Sequence, residues 1–176
     1  QGFEKYMISD FSFPCDIIQN TRYENIDVLS SSEKMNYIIE DFYKLSVEQR
    51  EANVNRIYKA FEDKYDYVLM DMPPALNIIT ETLLSITDGV VVPIELSSFS
   101  IQGIAKVTDT INKVGSSFVG SFITKYDKDN NSDKDFMRII DAELGDKNFK
   151  SVIPYSKIIR NSLNYKVTAY EYMHWL

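Results

Sequence analysis

The run Asp88-Gly-Val-Val-Val-Pro-Ile-Glu-Leu96 constrains the fold more than any other feature of this chain. Its consecutive β-branched residues do not alternate with polar ones, the pattern of a parallel strand covered on both faces rather than of a half-wet antiparallel one. Patterns of three and four surround it. Leu76, Ile79, Leu83 and Ile86 precede it, and Ile101, Ile104, Val107, Ile111 and Val114 follow it, closed by Gly115. Each reads as a helix with one apolar stripe.

The same alternation continues in both directions. Upstream, Ser30 with Glu33 has capping-box spacing and predicts a helix over Met35, Ile38, Ile39 and Phe42. Val54, Ile57, Tyr58 and Phe61 predict a second, and residues 65–71, YDYVLMD, read as a buried strand. NIDVLSS, with Ile26 and Val28 on one side, reads as a short strand. Downstream, residues 118–123 predict a strand, Phe136, Ile140 and Leu144 a helix stopped by Gly145, and KSVIP a last short strand before a polar helix towards Tyr165. Strands alternating with helices of ten to fifteen residues predict an α/β fold, a mostly parallel sheet with helices on both faces, in a single domain over residues 1–176.

Composition narrows the chemistry. Of 176 residues 44% are hydrophobic and 26% charged, an ordinary globular balance. One cysteine, Cys15, excludes an intramolecular disulfide, and one histidine, His174, excludes a histidine-based metal site. No apolar run approaches the roughly 20 residues that span a bilayer, and no secretory leader pattern is present; the expected location is cytoplasmic, without stable membrane insertion. A net charge of -7 argues against a surface covered in nucleic-acid contacts, but Lys147, Lys150, Lys157, Arg160 and Lys166 form a local basic tail. The loop YDKDNNSDKD at 126–135 lacks the spacing and glycine of a calcium loop and reads as solvated.

One carboxylate stands out. Asp71 lies at the carboxyl end of the strand read at 65–71, and the prolines Pro73 and Pro74 stop that strand. In open parallel sheets ligands gather outside the carboxyl ends of the strands, so Asp71 is placed to hold a magnesium-bound water; capping the turn is the plainer role open to it.

Longer blocks carry a family resemblance. YDYVLMDMPPALNIITETLLSITDGVVVPIELSSFSIQG, FVGSFITKYDKD and GDKNFKSVIPYSKIIRNSLNYKVTAYEY, in that order, resemble the ParA/MinD-type deviant Walker ATPases of the P-loop NTPase class, in the chromosome and plasmid partition branch. Gln1-Gly2 is similar to the end of the family's DxDPQG block. The resemblance implies ATP and magnesium as cofactors, with Asp71 as the Walker B acid behind the metal, Pro154 and Tyr155 against the adenine, and Thr124 and Lys125 on the preceding base-side loop. It also implies self-association as a dimer, sequence-independent DNA binding through Lys157 and Arg160 with Lys150 and Lys166 behind them, a centromere-binding ParB-type adaptor and nucleoid association.

Two departures qualify the match. The glycine-rich KGGxGK loop followed by Ser or Thr, which cradles the phosphates, has no counterpart among these residues, and neither has the first Asp of DxDPQG. The resemblance therefore implies a partial family domain, missing the first strand-loop-helix-strand unit, with no catalytic residue within this chain and weak or absent ATP binding by it alone. Asp129 also occupies the arginine position of the family's YDxR. Two other readings stay open: a degenerate, non-catalytic interaction module of the same fold, and a parallel-sheet enzyme of another class using Asp71. The last lacks a supporting His and a G-x-G-x-x-G loop.

Overall fold

A computed structural model describes residues 3–10, 12, 17–73 and 75–174. Gln1-Gly2, Cys15 and Pro74, named above, lie outside the described residues, as do Trp175 and Leu176. Contacts divide the chain into two compact units, Gln1–Asp88 with Asp109–Ser117, and Gly89–Thr108 with Phe118–Leu176.

The first unit holds α1 (Glu4–Met7), an antiparallel pair β1 (Gln19–Asn20) and β2 (Asp27–Val28), α2 (Ile39–Lys44), α3 (Val47–Lys59) and α4 (Ile78–Ser85). Its core gathers Met7, Phe42, Val54, Ile57, Phe61 and Ile79, the apolar stripes of α2, α3 and α4 closing on α1. Ser46 and Gln49 form the capping box that starts α3. From α3, Asn53 Nδ2 donates to the Met7 carbonyl at 3.0 Å and Arg56 Nη2 to the Tyr6 carbonyl at 3.2 Å, with a further bond from Arg56 to the Ser9 carbonyl. These side chains satisfy carbonyls that the end of a short helix leaves open.

Two expectations are corrected in this unit. The capping serine is Ser32 rather than Ser30, and it opens a 3-10 turn, Glu33–Asn36, before α2 begins at Ile39. Ser32 is selected because it also donates its hydroxyl to the buried carboxylate of Glu4. Burial pushes the Glu4 carboxyl up, but the hydrogen bonds from Ser32 and from the Glu4 and Ser32 backbones, aided by Lys34, outweigh it and hold the carboxyl below its ordinary range.

The second correction concerns residues 65–71. This segment joins no strand ladder, and Tyr67 is 87% and Leu69 95% exposed. An apolar run becomes a strand only when another strand satisfies its backbone, and among the described residues none pairs with it.

The second unit contains β3 (Val90–Glu95), β4 (Phe118–Tyr126) and β5 (Asn148–Pro154), all parallel in the order β3-β4-β5, with α5 (Ser98–Lys113), α6 (Asn131–Leu144), α7 (Lys157–Asn164) and α8 (Ala169–Met173). Only the first part of α5 belongs to this unit. Ile94, Ile104, Ile123 and Ile140 form its core, so α5 and α6 cover the same face of the sheet. Burial along β3 alternates, and Val91 is 44% exposed. Gly115 at φ +78 and Gly145 at φ +52 end α5 and α6 in the left-handed region that favours glycine.

Candidate functional site

The carboxyl ends of β4 and β5 build a cleft, at the strand ends where open parallel sheets gather ligands. The β4–β5 register shifts between Ile123 and Tyr126, and Lys125 within that bulge has φ +55. A non-glycine residue in the left-handed region costs about 1 kcal/mol or more, and a bulge re-aims the side chains that follow it. Here it delivers Tyr126 and Asp127 to the strand end. The Tyr155 N–H then donates to the Tyr126 carbonyl at 2.9 Å, tying the segment after β5 to the last residue of β4.

Tyr126, Asp127, Lys128, Asp129, Val152, Pro154 and Tyr155 line a cleft of about 480 Å³. Its loop is ordered by side chains. Asp127 N–H donates to Asp133 Oδ2 at 2.9 Å, Asp129 N–H to Asp127 Oδ1 at 3.0 Å, and Asn130, the N-cap of α6, donates from Nδ2 to Asp133 Oδ1 at 2.9 Å. The loop read as solvated is exposed over residues 127–132, and these hydrogen bonds shape it into a turn at the cleft mouth. Asp127, Lys128 and Val152 carry no signal of such a role on their own; the aspartates, two apart, before Asn130 are the one local hint of an Asx turn.

Pro154 and Tyr155 line the cleft, whereas Thr124 and Lys125 do not. Thr124 Oγ1 donates to the Ile94 carbonyl at 3.3 Å, and Lys125 Nζ pairs with Glu95 Oε2 at 2.6 Å, with both side chains 62% exposed. So exposed a pair contributes at most about 1 kcal/mol. Asp71, in the other unit, is exposed and makes no hydrogen bond or ion pair among the described residues.

The four basic residues lie on the second unit as well. Lys150 is on β5, Lys157 opens α7 behind the Ser156 cap, Arg160 follows within its first turns, and Lys166 lies just beyond its end at φ +55. All four are exposed, and none makes an ion pair among the described residues. No group of His, Cys, Asp or Glu side chains suited to a metal occurs among those residues, and no helix is long and apolar enough to cross a membrane.

A parallel sheet with its cleft at the strand ends is shared by many ATP-hydrolysing and other enzymes, so comparison decides the family. The family model described as an AAA domain matches residues 5–123. The chain belongs to this family, in its ParA/MinD-like branch. An uncharacterized protein of Mycobacterium tuberculosis is 31% identical over 144 residues, 78% of this chain and 45% of its own length. The chromosome partitioning protein ParA of Caulobacter vibrioides is 33% identical over 96 residues, 51% of this chain and 36% of its own. The chain thus spans less than half the length of these two relatives. Among solved structures, the septum site-determining protein MinD of Pyrococcus horikoshii, complexed with Mg-ADP, aligns with a TM-score of 0.69 and 18% identity over 98% of this chain and 66% of that one. The ParA/MinD-like chain therefore has the α/β fold of P-loop NTPases, with a mainly parallel sheet.

Proposed function

We propose that this ParA/MinD-like chain forms the base-side part of an ATP-dependent DNA partition ATPase, with a phosphate-binding loop supplied from outside residues 1–176. The observation that carries the reading is the cleft lined by Pro154 and Tyr155 at the ends of two parallel strands, in a chain similar to a chromosome partitioning protein. The Tyr155 ring, Pro154 and Val152 offer a slot for a base. On the other unit, the exposed Asp71 carboxylate is of the type that serves in the outer shell of a magnesium ion. The phosphate half finds no glycine-rich N–H cradle in this sequence.

Bound magnesium ATP would supply the chemistry of phosphoryl transfer. The chain's own contribution is to hold the base, with Thr124 and Lys125 shaping the strand end behind it, and to bias the metal through Asp71. Lys157 and Arg160, with Lys150 and Lys166, form the DNA face, and a dimer working with a ParB-type adaptor in the cytoplasm, on the nucleoid, completes the proposal. The exposed Tyr67 and Leu69 favour a second reading, a non-catalytic module that uses this apolar segment to associate. ATPase assays on the full product of the coding region separate the two. Magnesium-dependent turnover that falls when Asp71→Asn is introduced supports the first, and a full product with no turnover leaves the second.

A further inference from the structure

Resting on the reading of α7 as a DNA face, we propose that α7 and α8 together bind single-stranded DNA in preference to duplex, by stacking unpaired bases on the rings of Tyr165 and Tyr170. Residues 147–176 hold five basic residues and one acid, in a chain whose net charge is -7. That acid, Glu171, is engaged in the cap of α8, where it accepts the Thr168 N–H at 2.8 Å and the Thr168 hydroxyl at 3.0 Å. The cations therefore face solvent with no carboxylate of their own segment to neutralise them, and phosphate is their complement. Lys157 and Arg160 stand three apart on the exposed side of α7, opposite buried Ser162, and Lys166 follows the helix.

Cations alone do not tell one strand from two, but rings do. Tyr165 is 62% and Tyr170 70% exposed. Tyr165 lies about 12 Å along the helix axis from Lys157, at 1.5 Å per residue, and is next to Lys166. Its ring stacks on Tyr172 of α8, with centroids 5.4 Å apart and planes 23° apart, and Asn161 Nδ2 donates to the Tyr172 hydroxyl at 3.4 Å. Tyr170 leans on His174 at 4.5 Å. Each of these two rings is braced by a second ring while most of the residue stays in water. A duplex keeps its base faces stacked inside, whereas a single strand offers a π face at every base. Braced, nearly parallel rings suit planar bases rather than acyl chains.

The test follows fluorescence anisotropy of a labelled oligothymidine of about ten nucleotides, and of a duplex of equal length, with the 176-residue chain across a salt series. The oligothymidine is expected to bind at least about fivefold more tightly, the value of one base stacked on an aromatic side chain. The preference should widen as salt rises, because single strands release fewer counterions per contact. Tyr165→Leu and Tyr170→Leu should each weaken the single strand about fivefold or more and leave the duplex unchanged, and Tyr165→Phe, which keeps the π face, should bind as the parent does. Equal affinity for the two DNAs, or a preference unmoved by both leucine variants, overturns the stacking while leaving the DNA face in place. Binding of neither DNA overturns both, and binding of phosphatidylglycerol vesicles in their stead would make this face a lipid surface.

Discussion

The Tyr155 N–H and the Tyr126 carbonyl meet at 2.9 Å, so the wall of the cleft is carried by backbone rather than by the half-exposed Tyr155 ring. Side-chain changes at this position should therefore separate binding from folding. Tyr155→Ala is expected to change unfolding free energy by no more than about 0.5 kcal/mol, as for surface substitutions away from special features, measured by urea denaturation. A loss of several times that would mean that the ring holds the strand ends together.

Two glycines make opposite predictions. A Cβ on Gly120 of β4 would sit 2.4 Å from Phe149 Cε1 and 2.6 Å from the Lys147 carbonyl oxygen, whereas one on Gly103 of α5 meets nothing within 4 Å. The carbonyl cannot swing away as a side chain can. Gly120→Ala should lower stability by about 1–3 kcal/mol through overpacking, and Gly103→Ala should raise it by roughly 0.5–1 kcal/mol through helix propensity. Thermal melts of both variants provide the comparison.

Acid should loosen the first unit through Glu4. Its carboxyl is held below the ordinary value of 4.5, so the folded state favours the ionised form. The resulting stability is present above the unfolded pKa and is lost as pH falls through the folded one. Melting temperature is thus expected to drop on acidification below the ordinary carboxylate range. Glu4→Gln should remove part of that dependence while lowering stability at neutral pH. An unchanged pH profile in the variant would exclude Glu4 as a contributor.

For DNA, Lys157→Glu with Arg160→Glu should weaken binding of unrelated duplexes alike. If each residue neutralises one phosphate, the slope of log affinity against log salt falls by about 1.8 in magnitude. Fluorescence anisotropy across a salt series measures it. An unchanged slope would remove α7 from the DNA face.

The sequence made some elements legible and hid others for physical reasons. The stripes of α5 and α6, with Gly115 and Gly145 at their ends, are local signals, and both helices stand where those signals place them. Residues 65–71 have the composition of a strand, but strand formation depends on a neighbour that no local pattern reveals. Spacing alone favours Ser30, three residues before Glu33, whereas Glu4, nearly thirty residues earlier, selects Ser32. At the cleft, Pro154 and Tyr155 are named through the family resemblance, the local pattern offering only a strand stop and a packing aromatic. The place of Asp127 is not legible, because it follows from the bulge at Lys125 and from the distant acceptor Asp133.

Titration of magnesium ATP into the isotope-labelled 176-residue chain tests the half-site most directly. A base cleft without a phosphate cradle should bind only in the millimolar range, about 4 kcal/mol, with amide shifts centred on residues 126–129 and 152–155. Micromolar affinity, or shifts that leave those residues untouched, would contradict it.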